Sequence, residues 1–254
     1  MPIHHVAIIP AAPLLLPAAS PSQPEEVRAG VAQLRRHVAV ALDRLPATGS
    51  ALLLDAGPES LVHDAAEASL AGYGLPHVRA DVTIDAALLS AVSARGQAPR
   101  VRSDRLDGDL AVLALLLADT RPELAVAPVT VPTGAGSDAL TDLANGLLAA
   151  VAAVDTAERL VSVIAAGDLA ATLATTSPGY LVDGAPAWDE RAVAAVQAGD
   201  VDAFGALGPE EAARVQARGW APITVALRLA EAAGVSLADA AYLAPRGVGQ
   251  LVAA

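Results

Sequence analysis

The sequence contains no cysteine and no lysine, and only 2% of its residues are aromatic. The absence of cysteine excludes disulfides, thiolate zinc sites and thiol nucleophiles. All 16 positive charges are therefore arginines, and against 28 acidic residues they leave a formal net charge of −12. Such a chain repels phosphate groups, so we expect neither nucleic acid nor an anionic membrane as a partner.

Long hydrophobic runs are missing as well. The longest apolar stretch, near residues 110–118, stops at Asp119, well short of the roughly 20 residues that a membrane-spanning helix needs. The apolar N-terminus carries no positive charge before Arg28, and prolines interrupt it, so it lacks the form of a secretory signal. These features predict a soluble, cytoplasmic protein.

Apolar residues make up 54% of the 254 positions, mostly as alanine, leucine and valine. This is enough for one large core, and no internal repeat or long linker divides the chain, so residues 1–254 are predicted to form one domain. Strands are predicted at 4–9, 51–55, 78–85, 124–132 and 159–168, with a final hairpin at 240–253. Helices are predicted at 22–45, 86–93, 110–118, 138–154, 187–198, 209–218 and 222–233.

The alternation of strands and helices predicts an α/β fold with a central, mostly parallel but mixed sheet and helices on both faces. Ser22 followed by Glu25 further predicts a capping box at the start of the first long helix. In parallel sheets the ligand crevice lies at the carboxyl ends of the strands. Three loops follow such ends: "PAAP" (10–13), "DAGP" (55–58) and "AAGDLAATL" (165–173).

These loops and the C-terminal hairpin carry motifs of a known family. In chain order the motifs are "IIPAAPLLLP" (8–17), "LLLDAGPES" (52–60), "IAAGDLAATL" (164–173), "SPGYLVDGAPAWDERAVAAVQAGD" (177–200) and "YLAPRGVG" (242–249). Their order and spacing resemble the LigB-type catalytic subunit of the class III extradiol ring-cleavage dioxygenases, a group that includes the Memo-like proteins. The resemblance covers nearly the whole chain and implies the α/β fold of that family.

The resemblance also implies where a metal site would be. The family holds a non-haem Fe(II) with two histidines and a carboxylate, and a further histidine serves as acid/base. The two metal histidines correspond to Ala11 and Ala56, the histidine of the Gly-Asp-Leu-Ser-His motif to Ala171, and a mid-chain histidine to Gly108. The carboxylate segment corresponds to Ala-Arg-Gly at 217–219. The implication is a scaffold without its iron ligands, so we expect no metal cofactor.

The chain's five histidines offer few replacements. His4 and His5 are neighbours on a predicted strand, so they point to opposite faces. His63, just beyond the "DAGP" loop and expected on a helix, is the histidine nearest the crevice. Ser60, His63 and Asp64 together suggest nucleophilic catalysis, although residues this close on one helix rarely give triad geometry.

The candidate pocket therefore comprises Pro13, Asp55, His63, Gly167 and Asp168. Asp168 follows a strand, and it either caps the next helix through its carboxylate or belongs to the pocket. Asp55 stands where the family pattern has a neutral residue. It either binds a polar or cationic ligand or caps a helix that begins at Ser60.

Two functions of different classes follow. The first is a non-catalytic relative of the dioxygenases that binds a small molecule or supports assembly, with a homodimer implied by the family. The second is an active oxidoreductase that cleaves catechol-type rings with O₂ at a relocated metal site, or an enzyme that runs another reaction from Asp55, Asp168 and His63. The joint replacement at Ala11, Ala56 and Ala171 favours the first.

Overall fold

The computed structural model describes residues 3–22, 24–95, 98–154, 160–237 and 239–254. The strands in these residues are β1 (Ile3–Ile9), β2 (Gly49–Gly57), β3 (Leu61–Asp64), β4 (Glu67–Leu70), β5 (Leu75–Asp81), β6 (Arg100–Arg102), β7 (Leu124–Pro132), β8 (Val161–Ala166), β9 (Ala240–Leu243) and β10 (Gln250–Ala253). The helices are α1 (Glu25–Asp43), α2 (Ala86–Ala94), α3 (Gly108–Thr120), α4 (Ser137–Val154), α5 (Ala185–Ala198), α6 (Val201–Gly205), α7 (Pro209–Arg214) and α8 (Trp220–Ala233).

Eight strands form one mixed sheet in the order β6-β3-β7-β2-β8-β1-β10-β9, and β4 and β5 form a separate two-stranded sheet. The four central strands, β7, β2, β8 and β1, run parallel to one another. The flanking strands β3 and β10 run antiparallel to their central neighbours. The carboxyl ends of the four central strands therefore meet at one edge of the sheet, which we call the carboxyl edge.

Helices cover both faces of the sheet. On β2, Leu52 and Leu54 face a core built with α2, α4, α5 and α8. Ala51 and Leu53 face a second core, built with α1 and α3. Because β2 is buried on both faces, its sequence is a continuous apolar run rather than an alternating one. The predicted α/β architecture is confirmed.

Helix α4 is the one helix of the described residues that is long and apolar enough to cross a membrane by length and composition alone. Within the fold it packs against α2 and α8. Its buried side chains are Leu140, Leu143, Ala144, Leu147, Ala150 and Val151.

Two local predictions are wrong. Helix α1 begins after Pro24 without a side-chain cap, so Ser22 forms no capping box; the fixed φ of proline pre-sets the entry, and Glu25 and Glu26 lie in the first turn. The segment after "DAGP" is strand β3 rather than a helix, because Val62 is buried against the sheet and the strand pairs with β7.

Two predicted strands differ in extent or coverage. The strand predicted at 78–85 is present as β5 but begins and ends earlier, at Leu75–Asp81, and it pairs with β4 outside the main sheet. Position 159 of the strand predicted at 159–168 lies outside the described residues.

Candidate functional site

A cavity of about 390 Å³ opens at the carboxyl edge, and we call it the edge cavity. Its walls are mostly apolar, with proline and alanine prominent. The lining residues that matter below are Ala11, Pro13, Tyr73, Asp109, Asp168, Ala171, Gln216, Arg218 and Gln250. Of the predicted pocket residues, Pro13 and Asp168 thus line the cavity.

Gly167 lets the chain turn from β8 into the site. A Cβ there would lie 2.3 Å from the carbonyl oxygen of Leu251 and 2.9 Å from Cγ2 of Ile8, so only glycine fits between β1 and β10. The Gly167 amide donates to the carbonyl of Ile9 at 2.9 Å. Gly167 is therefore a structural requirement of the site, and the residue after it is held in a fixed position.

Asp168 ties together segments that are far apart in sequence. Its Oδ2 accepts a hydrogen bond of 2.8 Å from the backbone N–H of Ala11, and its Oδ1 accepts one of 2.8 Å from Nε2 of Gln250. The helix-cap interpretation of Asp168 is wrong, since both partners lie on other strand-end segments. Burial, with the nearby charge of Asp109, raises the pKa of Asp168 to about 6 against the effect of these hydrogen bonds.

Arg218 projects from the loop between α7 and α8 and makes the ion pair of the site. Its Nε lies 3.1 Å from Oδ2 of Asp109, in the first turn of α3, and its Nη2 donates to the carbonyl of Ala56 at 3.3 Å. The loop is positioned by Gly219, whose amide donates to the carbonyl of Asp168 at 2.7 Å. A Cβ on Gly219 would lie 2.6 Å from that same oxygen.

Tyr73 completes this network. Its hydroxyl donates to Oδ1 of Asp109, so both carboxylate oxygens of Asp109 are engaged, one by Tyr73 and one by Arg218. Burial, followed by the charge of Asp109, raises the pKa of Tyr73 above its ordinary value. Tyr73 is therefore a neutral donor at physiological pH.

Asp55 lies near the end of β2 and is only 5% exposed. Its Oδ1 is buried and has no hydrogen-bond partner within the described residues. Burial, followed by the charge of Asp109, raises the pKa of Asp55 to about 8, although Arg218 opposes the shift. Because β3 follows instead of a helix, the interpretation of Asp55 as a helix cap is wrong, and the residue is a buried acid that is largely protonated at neutral pH.

The four positions that the resemblance matches to histidines lie around the pair of Asp109 and Arg218. Ala11 and Ala171 line the edge cavity. The carbonyl of Ala56 accepts a hydrogen bond from Arg218. Gly108 immediately precedes Asp109 and adopts a positive φ of 64° at the start of α3. Segments widely separated in sequence thus bring these positions to one place.

His63 is not among the residues that line the edge cavity. Its Nε2 lies 3.3 Å from Oγ1 of Thr130, and burial lowers its pKa. Asp64, its neighbour on β3, pairs instead with Arg100 at 2.8 Å and Arg102 at 3.3 Å. Adjacent residues on a strand point to opposite faces, so Ser60, His63 and Asp64 do not form a triad.

Sequence reasoning missed Asp109, Tyr73 and Gln250, and it reached Arg218 only through the resemblance. An aspartate in the first turn of a helix usually interacts favourably with the helix dipole, so Asp109 was not recognised as a residue of the site. Its position directly after Gly108, one of the four family positions, was the available signal. For Gln250 the only signal was its place at the start of the last strand.

The residues present do not fit a site of two histidines and one carboxylate for Fe(II). Within the described part of the chain, no group of three or more His, Cys, Asp or Glu side chains is arranged to hold a metal ion. The methyl groups of Ala11, Ala56 and Ala171 have no lone pairs to donate. A guanidinium, itself a cation, lies among these positions.

Comparison with known proteins supports the fold alone. No family model and no curated protein matches this chain. Among solved structures, the chain is similar to an uncharacterized protein, JW3007, from Escherichia coli K12, with a TM-score of 0.55 and 13% sequence identity over 98% of each chain. At this identity the likeness extends to the overall α/β architecture and carries no statement about activity.

Proposed function

We propose that this protein is a non-catalytic, cytoplasmic relative of the LigB-type extradiol dioxygenases that binds a small molecule in the edge cavity. One observation carries the proposal. The positions that the resemblance matches to histidines hold alanine or glycine. Ala11 and Ala171 line the cavity that contains the ion pair of Arg218 and Asp109, the carbonyl of Ala56 accepts a hydrogen bond from Arg218, and Gly108 precedes Asp109 in the chain.

The chemistry of Arg218 supports this proposal. A guanidinium keeps its charge at all physiological pH values. The pairing with Asp109 also occupies a carboxylate that a metal ion would need. The site is therefore suited to an organic ligand held by hydrogen bonds and apolar contact.

A second candidate is an enzyme of another reaction class. Asp55 favours it, because a buried carboxyl with a pKa of about 8 and an unpaired oxygen has the properties of a general acid. Asp55 lies outside the lining of the edge cavity, so a substrate there would not contact it directly. This separation favours the binding role over the catalytic one.

The proposal is tested by anaerobic incubation of the purified protein with Fe(II), removal of free metal, and measurement of retained iron and of catechol and protocatechuate cleavage. We expect retained iron far below one equivalent and no coloured ring-opened product. Retention of one iron per chain together with ring cleavage would refute the proposal and support the alternative of an active dioxygenase.

A further inference from the structure

A second cavity of about 710 Å³, which we call the Trp220 cavity, lies next to the edge cavity. Ala171, Gln216 and Arg218 line both cavities, so their side chains form the boundary. Trp220 and Ala217 contribute to the largely apolar wall of the second one. Each volume falls in the range of about 300–1,000 Å³ typical of small-molecule sites.

The boundary residue Gln216 has a backbone conformation that side chains seldom adopt, with φ of 56°. Two backbone hydrogen bonds fix this conformation: the Gln216 amide donates to the carbonyl of Ala213, and the Ala217 amide donates to the carbonyl of Ala212. Its side chain packs on Gly179, where a Cβ would lie 2.5 Å from Oε1 of Gln216. The two backbone bonds are those of a Schellman motif at the end of α7, so they account for the positive φ and place the Gln216 side chain at the boundary between the cavities.

The hydrogen bonds of the charged groups show what kind of ligand the boundary needs. Both oxygens of Asp109 accept hydrogen bonds, from Tyr73 and Arg218, and both oxygens of Asp168 accept hydrogen bonds, from Ala11 and Gln250. By contrast, Nη1 of Arg218 has no hydrogen-bond partner among the described residues, and 59% of the Arg218 side chain is exposed. Oε1 of Gln250, in the wall of the edge cavity, is a buried acceptor that also has no partner among the described residues. At the boundary itself, Arg218 offers an exposed cationic donor to a ligand that carries an acceptor.

We propose that the two cavities form one binding site for an apolar molecule with a single carboxylate, which Arg218 binds at their boundary. The outer edge of the guanidinium, Nη1 with the second N–H of Nη2, offers the fork that a carboxylate accepts in bidentate fashion. The apolar part of the ligand lies along the cavity walls. This inference rests on the proposed binding function and adds the class of ligand.

The first test compares three ligands with the same tail, namely octanoate, octanol and octylamine, by calorimetry on the full chain at pH 7. We expect octanoate to bind at least about tenfold more tightly than octanol, since one charge-assisted hydrogen bond is worth about that factor. Octylamine is expected to bind most weakly because Arg218 repels it. Equal binding of acid and alcohol, tighter binding of the amine, or no binding of any of the three would overturn the inference.

Arg218→Met tests the residue itself, because methionine keeps an unbranched side chain but removes the charge. We expect the preference for octanoate over octanol to disappear in this variant. Arg214→Met is the matched control, since Arg214 is exposed on α7, pairs with Glu211 and lines neither cavity. A preference that survives in Arg218→Met would contradict the assignment. If that variant does not fold, the comparison of ligands on the wild type still decides.

Tryptophan fluorescence tests whether the ligand reaches the second cavity. The chain has two tryptophans, and of these Trp220 lines the Trp220 cavity whereas Trp188 lines neither. We expect 8-bromooctanoate to quench the wild type and to quench Trp220→Phe much less. Binding without quenching would overturn the two-cavity site. Iron retention decides the proposed function separately, so each of the two ideas can fail alone.

Discussion

Asp55 and Asp189 are both buried aspartates with a raised pKa, but their surroundings differ. Asp189, on α5, is 1% exposed, and its two oxygens accept hydrogen bonds from the Ala170 amide at 2.9 Å and the Tyr242 hydroxyl at 2.6 Å. Asp55 is 5% exposed, and its Oδ1 has no partner among the described residues. Burial raises the pKa of Asp189 to about 6 and that of Asp55 to about 8.

The difference separates a carboxylate with both oxygens hydrogen-bonded from one with a buried oxygen left unpaired among the described residues. Asp189 joins α5, the segment after β8 and strand β9, and its neighbour Gly249 has no room for a side chain, because a Cβ would lie 2.1 Å from Oδ2 of Asp189. Asp55 has only one engaged oxygen, through the backbone of Ala56, and it lies beside the charges of Asp109 and Arg218. Uncompensated buried polar groups are rare and concentrate where function requires them.

The largest expected effect is the loss of stability when Asp189 is replaced. Asp189→Ala leaves the buried amide of Ala170 without an acceptor and removes the partner of the Tyr242 hydroxyl, whose residue is 37% exposed; an unsatisfied buried group costs about 1–3 kcal/mol. We expect the free energy of unfolding, measured in urea, to fall by about 2 kcal/mol or more. Glu190→Ala, at the exposed next position of α5, is the control and should change it by less than about 0.5 kcal/mol. Equal losses in both variants would remove the structural role of Asp189.

The pH dependence of stability tests whether Asp55 is protonated in the folded state. Its pKa of about 8 in the folded state exceeds the unfolded value of about 4, so the folded state binds the proton more tightly. The stability this provides is complete below about pH 4 and is lost as the pH rises towards 8. Between pH 5 and pH 7 the wild type should lose about 1.4 kcal/mol per pH unit that Asp55→Asn does not lose.

Urea titrations of both proteins at several pH values measure this difference. Asp168 and Asp189 titrate near pH 6, but their contribution is common to wild type and variant and cancels in the comparison. Parallel stability curves for the two proteins would show that Asp55 ionises normally and would contradict its assignment as a protonated buried acid.

The smallest effects distinguish the two tyrosine hydroxyls. Tyr242→Phe removes a hydrogen bond to fully buried Asp189 and should cost about 1.5 kcal/mol. Tyr73→Phe removes one to Asp109, whose side chain is 14% exposed and keeps its ion pair with Arg218, so water can reach the freed oxygen and the cost should be about 0.5 kcal/mol. The two tyrosines themselves are similarly exposed, at 43% and 37%, so the acceptor makes the difference. Thermal unfolding of both variants compares these costs. A larger loss for Tyr73→Phe would reverse the distinction between the two regions.

The sequence predicted those strands and helices whose pattern of apolar residues extends over many positions. Strands β1, β2, β7 and β8 and helices α3, α4 and α8 were predictable because their apolar patterns are long. Strand β3 was not, since four residues, Leu-Val-His-Asp, carry too short a pattern and their state is decided by pairing with β7. Local propensity therefore accounts for the frame of the fold but not for its short edge strands.

The sequence predicted where the site lies, but not which side chains interact there. Strand-end loops located Asp55 and Asp168, whereas the partners of Asp168, at Ala11 and Gln250, are 157 and 82 residues away in sequence. No local sequence pattern indicates such contacts, so the sequence alone could not decide whether Asp168 caps a helix or belongs to the pocket. The ion pair of Asp109 and Arg218 spans 109 residues and was hidden for the same reason. The family assignment remains a prediction from the motifs.

The absence of a metal site is tested most directly by a crystal structure of the protein grown with Fe(II) or Mn(II), with anomalous diffraction data collected at the metal edge. We expect no anomalous peak between Ala11, Ala56 and Ala171, and a guanidinium of Arg218 still paired with Asp109. A peak of full occupancy there, coordinated by protein oxygen or nitrogen atoms with Arg218 displaced, would contradict it.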